Sequence, residues 1–238
     1  MPKPIVAIEG PSAAGKTEVA QLLAVTPGSF HISEAFTSIQ PRASLRFRSD
    51  QQLLRLELRL IAEESRRYLL AQETESQGRR VILDTGFLGP LTYTGGLVRL
   101  GLAKLTTFGT LLTRFRSLEG AGVCGLPDFT VYLDVPRSER DRRADSDPGR
   151  HPPRLYLRHA EVAREELKMY RLKIASILGR NLAFVNGVGT PQKVASGIQH
   201  AIRLFGNQSL DSDAGIRVVD SLERHLKADP REIFLSPI

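Results

Sequence analysis

The residues best suited to chemistry follow the apolar run Ile5–Ile8 and the acid Glu9. They are Gly10, Pro11, Ser12, Ala13, Ala14, Gly15, Lys16, Thr17 and Glu18, and the spacing Gly-x4-Gly-Lys-Thr is that of a phosphate-holding loop. Glycines let the backbone turn its N–H groups inward around an anion. A helix opening at Lys16 adds its dipole and its unpaired N–H groups. The Lys16 ammonium would neutralise the β- and γ-phosphates of a nucleotide, and the Thr17 hydroxyl would ligate Mg2+. The expectation is bound ATP with Mg2+, held by residues 10–18.

Such a loop needs an acid on the metal side, at the end of a neighbouring apolar strand. Asp84 follows "RVIL" and Asp134 ends "VYLD", so both fall at strand ends, on the sheet edge where open α/β folds bind ligands. The pattern alone does not choose between them. A third acid, Glu34, closes "SFHISE". Residues 137–158 hold seven arginines and four acids. Of these, Arg140, Arg143, Arg150 and Arg154 are the candidates for closing over the phosphates, since planar guanidinium groups suit charge spread over three oxygens. Others in the segment would be solvated and paired with Glu139 or Asp141. Arg42, Arg46 and Arg48, with Arg59, Arg66 and Arg67 on the next helical stretch, could hold an acceptor phosphate; the helix arginines could equally pair with Glu57, Glu63 and Glu64. Phe36, Phe87 and Tyr93 could clamp a base, or pack in the core.

The elements that must position these residues alternate between strand and helix. Short apolar runs at 5–9, 29–34, 80–84, 128–135 and 181–186 read as strands, and helical patterns fill 51–77, the region up to about 118, 155–178 and 190–204. This predicts an α/β fold with a mainly parallel sheet of about five strands. Residues 206–215, "GNQSLDSDAG", read as a linker, and 216–226 as a terminal amphipathic helix, a satellite of the core, before a tail. The expected division is a core over 1–205, with an Arg-rich lid at about 137–158, and an appendage over 206–238.

Composition narrows the function classes. With 238 residues, 41% hydrophobic and 25% charged, the chain is long enough for one full core. It has no apolar run near the ~20 residues of a membrane span and no N-terminal h-region, so a soluble, cytoplasmic protein is expected. One cysteine, Cys124, excludes an internal disulfide and fits a reducing compartment. The formal net charge of +7 favours anionic partners such as nucleotides. An aromatic content of 6% with no Trp argues against a stacking platform for single-stranded nucleic acid.

Three stretches together, "IEGPSAAGKT", "VILDTGFLGPLTYTGG" and "PDFTVYLDVP", resemble the thymidylate kinase and deoxynucleoside kinase group of P-loop kinases. Glu9-Gly10 matches that group's Glu-Gly entrance. Thr92-Tyr93-Thr94-Gly95 stands eight residues past Asp84, where thymidylate kinases carry Ala-Tyr-Gln-Gly. Pro127, Asp128, Leu133, Asp134 and Val135 match its Pro-Asp…Leu-Asp-Val strand. The resemblance spans about 4–205 and implies the P-loop NTPase fold and an ATP-dependent phosphotransferase acting on a nucleotide, nucleoside or related small molecule. It implies that Asp84 is the metal-side acid and that Asp134 is structural. It further implies that Glu34 is a general base on a sugar hydroxyl, that Arg140 and Arg143 lie in the lid, that Asn186 to Gly189 pass the adenine, and that a homodimer can form through helices flanking the third strand. The departures are Thr85 in place of an Arg, Ser33-Glu34-Ala35 in place of Arg-Glu-Pro, and Thr94 in place of a base-reading Gln. The donor half is thus retained and the acceptor half rewritten. The rival reading is a P-loop nucleotide switch or nucleic-acid binder, for which the chain offers no motor or sensor motifs.

Overall fold

The computed structural model describes residues 3–39, 47–146, 153–205 and 210–228. Five strands, β1 (Ile5–Glu9), β2 (Ser29–Ile32), β3 (Arg80–Asp84), β4 (Phe129–Asp134) and β5 (Leu182–Asn186), form one sheet in the order β2-β3-β1-β4-β5. Every pairing is parallel. β1 is central and all five of its residues are buried, which is why it reads as a continuous apolar run with no alternation. β2 stops at Ile32, two residues short of the expected Glu34.

Alternate residues face opposite layers. Val6, Ile8, Ile82, Val131 and Leu133 pack under α1 (Lys16–Ala24) and α9 (Pro191–Phe205). Ile5, Ala7, Val81, Leu83 and Tyr132 face the larger layer. That layer contains α3 (Asp50–Ser76), α4 (Gly89–Arg99), α5 (Leu105–Gly120) and α7 (Pro153–Met169); the short α2 (Ala35–Ser38) follows β2. Ser49 caps α3, its hydroxyl accepting from the Gln52 N–H at 3.3 Å. Asp50 at the start of α3 accepts from the Lys104 N–H at 2.8 Å, tying the α4–α5 turn to that end of α3.

The Arg-rich segment begins as a helix, α6 (Arg137–Asp145). Pro136 precedes its first turn, and Glu139 pairs with Arg142 and Arg143 one turn on, which supports a helix despite its low apolar content. α7 runs through a π turn (Tyr170–Ile174) into α8 (Ala175–Leu178). α10 (Ala214–Lys227) sets Val218, Val219, Leu222 and Leu226 into the same apolar cluster as Phe108, Leu112 and Tyr170. α10 is therefore seated on the apolar layer beside α5 and the π turn. Among the described residues no helix is long and apolar enough to cross a membrane.

Candidate active site

The loop between β1 and α1 turns through three positive-φ residues, Gly10 (139°), Ala13 (61°) and Gly15 (87°). Gly10 also marks a close approach: a Cβ there would lie 2.8 Å from the Leu133 carbonyl oxygen, so only glycine lets β1 leave the sheet along this path. Lys16 lies across the loop, its Nζ donating to the carbonyls of Gly10 at 2.9 Å and Pro11 at 3.2 Å. Thr17 Oγ1 donates to Asp84 Oδ2 at 2.6 Å. Asp84 is 1% exposed, and its other oxygen, Oδ1, is buried without a hydrogen-bond partner. A hydroxyl bonded to one carboxylate oxygen, with the second oxygen unsatisfied, is a hard oxygen set that could hold Mg2+.

Asp134, the rival acid, is 37% exposed and pairs with Arg171. Asp84 is held from behind. Arg67, 2% exposed, pairs with Glu64 and donates to the Asp84 carbonyl at 2.8 Å and the Thr85 carbonyl at 3.1 Å. Thr85 itself has φ 63°, a rare conformation for a β-branched residue, and its N–H is fixed to the Ile8 carbonyl at 3.1 Å. Glu9 reaches across from β1, Oε1 accepting from the Gly86 N–H at 2.7 Å; burial raises its carboxyl above the usual range. His31 on β2 is lowered by burial, with the charge of Asp84 acting the other way.

The remaining expected residues are scattered around this centre. Glu34 is half-buried just past β2, at the N-terminus of α2, its carbonyl accepting from the Thr37 hydroxyl at 2.7 Å. β2 pairs Ile32 with Leu83, so Glu34 stands on the same sheet edge as Asp84. Arg143 donates to the Ala14 carbonyl at 2.9 Å, the Gly187 carbonyl at 2.8 Å and Glu139 at 2.8 Å; it bridges the β1–α1 loop, α6 and the loop after β5. These elements border a cleft of about 370 Å3 lined also by Ala13, Gly15, Glu18 and Gly189. Asn186 turns its Oδ1 onto the Val188 N–H at 2.9 Å, shaping that loop. Arg140, by contrast, is 8% exposed with a buried, unpartnered Nε, and lines a second cleft of about 290 Å3 beside Pro11 and Tyr132.

Arg66 pairs with Glu63 and Arg67 with Glu64, as one of the two expectations had it. Arg48 and Arg59 are on the described chain, whereas Arg42, Arg46, Arg150 and the side chain of Arg154 lie outside the described residues. Phe87 is buried edge-on against Tyr68, and Phe36 is exposed.

Two acids escaped the sequence reading as site residues. Glu57 on α3 is 1% exposed with neither carboxylate oxygen hydrogen-bonded, and Glu166 on α7 accepts from the Thr92 hydroxyl at 3.4 Å. Burial pushes Glu166 up to about 7, against the pull of Lys16, with Glu9 adding to the rise. Burial lifts Glu57 well above the usual carboxylate range, and the charge of Glu166 lifts it further. Both groups hold their protons to higher pH folded than unfolded, so the unfolded chain gains as pH climbs past its own carboxylate range. Between about pH 5 and 7.5 the melting temperature is expected to fall, and Glu166→Gln to make the fall shallower. An unchanged slope in the variant, read by scanning calorimetry, would refute the assignment.

No family model matches the sequence, and no curated protein does. Solved structures share the architecture: that of a deoxyadenosine kinase from M. mycoides with bound dATP superposes with a TM-score of 0.65 at 13% identity, covering 84% of this chain and 99% of that one. The structure of a thymidylate kinase from Candida albicans gives a TM-score of 0.65 at 19% identity, covering 88% and 97%. A second structure of the M. mycoides kinase, with dCMP and dCDP bound, gives 0.64 at 14% identity. The chain has the fold of the deoxynucleoside and thymidylate kinases.

Proposed function

We propose that the protein transfers the γ-phosphoryl group of ATP to a hydroxyl or phosphate of a small acceptor, in the nucleoside and nucleotide class on which its structural neighbours act. The observation that carries this reading is the Thr17–Asp84 pair at 2.6 Å beneath the glycine-lined loop, with Asp84 Oδ1 unsatisfied. Loop N–H groups and Lys16 hold the β- and γ-phosphates. The nucleoside half of ATP lies in the cleft between Gly15, α6 and Gly187, where Arg143 fixes the walls. Thr17 and Asp84 would hold Mg2+, which when bound offsets phosphate charge. Arg140, buried beside Pro11, is the guanidinium left to meet charge on the transferred group.

For a hydroxyl acceptor, the acceptor oxygen forms the new bond to the γ-phosphorus, the bond to the β,γ-bridging oxygen breaks, ADP leaves, and the hydroxyl proton passes to Glu34. The protein would work as a soluble enzyme of the cytoplasm, with no nucleic-acid or membrane partner, and its homodimer would use the helices flanking β3.

The test is ADP release with Mg-ATP across nucleosides, nucleoside monophosphates and phospho-sugars. Release that depends on a small acceptor supports the proposal; tight, salt-sensitive polynucleotide binding with no acceptor-dependent ADP overturns it. Glu34→Gln should lower kcat by about 10²-fold while ATP affinity holds, the range for a lost general base. A change confined to acceptor affinity would remove Glu34 from the proton transfer.

A further inference from the structure

α6 is a wall between two clefts. Glu139, Arg142, Arg143 and Ser146 form one stripe along it and border the cleft proposed above for the nucleoside half of ATP. Arg137 and Arg140 border the second cleft, of about 290 Å3, which α7 closes on its other side. The two stripes hold their charges differently. Glu139 takes both Arg142 and Arg143, and Arg143 also donates to two carbonyls. Arg140 is 8% exposed, its Nε is buried without a partner, and among the described residues no hydrogen bond or ion pair holds its guanidinium. The acids around it are engaged or solvated: Asp134 pairs with Arg171, Asp141 with Arg137, and Glu161 is exposed. Glu166 acts on Arg140 across space without a hydrogen bond, and burial lifts its carboxyl to about 7, so near neutral pH it balances the guanidinium only in part. An arginine cannot shed its proton, so the charge stays, and a buried charge without a partner is unfavourable until an anion meets it.

We propose that the cleft between α6 and α7 binds a small molecule carrying a carboxylate or phosphate on a short apolar body, with Arg140 holding the anion. A guanidinium offers parallel N–H groups that either anion accepts in pairs. Tyr132, Val135, Ala160, Ala163 and Leu167 supply an apolar lining for the body, and Arg164 adds a second, exposed cation. The cleft is separate from the one beside Gly15: of the β1–α1 loop, only Pro11 reaches it. Ligand and nucleotide can therefore be held at once, on opposite faces of α6. None of this requires the phosphotransfer reading, which it goes beyond. On that reading Arg140 meets the transferred group, so an anion in the cleft takes the guanidinium away and slows transfer without displacing ATP.

The experiment uses the full chain, wild type and the Arg140→Gln and Lys16→Ala variants. Probes are benzoate and phenyl phosphate, with benzyl alcohol as the neutral counterpart, and binding is read by calorimetry at fixed ionic strength. The wild type is expected to bind at least one anion about tenfold or more tightly than benzyl alcohol. Arg140→Gln should weaken that anion about tenfold or more, and Lys16→Ala should leave it within about threefold. The unliganded Arg140→Gln protein should melt no lower than wild type, since the change removes an uncompensated buried charge. A lower melting temperature with unchanged affinity would mark a structural guanidinium and overturn the proposal. So would equal binding of benzyl alcohol, no saturable binding of either anion, or loss of binding in Lys16→Ala alone, which would put the anion in the β1–α1 loop. If Arg140→Gln does not fold, the contrast of charged and neutral probes in wild type and Lys16→Ala still decides. Where acceptor-dependent ADP release is found, the bound anion should lower kcat about tenfold with the KM for ATP within about threefold. Binding without that loss leaves the anion site standing and removes Arg140 from the transfer.

Discussion

Lys16→Ala is expected to cut acceptor-dependent ADP formation by about 10³-fold or more, the scale for removing one cation or donor from developing phosphoryl charge. Lys16 Nζ lies within hydrogen-bond reach of the Gly10 and Pro11 carbonyls, so its ammonium sits at the loop that would hold the phosphates on the proposed reading. No other lysine on the described chain lies in this loop, and Arg143, the nearest guanidinium to Gly15, is taken up by the Ala14 and Gly187 carbonyls. Removing the ammonium therefore leaves the triphosphate charge to Arg140 and the backbone. The fold should survive, since Lys16 is half-exposed and its bonds go to loop carbonyls that water can reach. Steady-state ADP release and a melting curve on the same sample check both halves. Full turnover in the variant would remove the loop from the chemistry.

How much of this was legible depends on whether chemistry and scaffold share one stretch of chain. The loop after β1 does: strand, glycines, Lys16 and Thr17 are contiguous in the sequence, although Asp84 and Arg143 also hold them in the fold. The sheet was legible for a similar reason, because a parallel strand buried on both faces must be an apolar run. Asp84 and Asp134 were not separable by pattern, since both end strands that flank β1. What separates them is tertiary: α1 packs over the β2–β3 side, which turns Thr17 toward Asp84 and leaves Asp134 to Arg171. Glu57 was hidden by context, lying among charged neighbours that read as a solvated face. A signal was present nonetheless. Leu53, Glu57, Leu60, Glu64, Arg67 and Ala71 recur at alternating steps of four and three and are all buried, so the acids and Arg67 lie within the apolar stripe of α3. Charged residues inside such a stripe mark either a pair, as Glu64–Arg67 proves to be, or a buried group without a hydrogen-bond partner, as at Glu57. Glu166 gave no comparable signal, because its contact with Thr92 depends on where α4 meets α7.

Asp84→Asn tests the other half of the donor site and has the second large effect. The amide keeps the size of the carboxylate and can still bond to the Thr17 hydroxyl, so the buried position 1% exposed on the β3 end is filled as before. What it loses is one negative charge beside Thr17, and with it the oxygen donor a hard cation prefers. Turnover is expected to fall about 10²- to 10³-fold, and the Mg2+ concentration for half-maximal rate to rise about tenfold or more, while nucleotide affinity without metal changes little. Asp134→Asn is the matched comparison. That carboxylate is partly exposed and paired with Arg171, a surface ion pair worth at most about 1 kcal/mol, so its loss should leave the Mg2+ dependence in place. If the two variants exchange these behaviours, the metal belongs at the end of β4, and the pairing of Thr17 with Asp84 is only a structural contact.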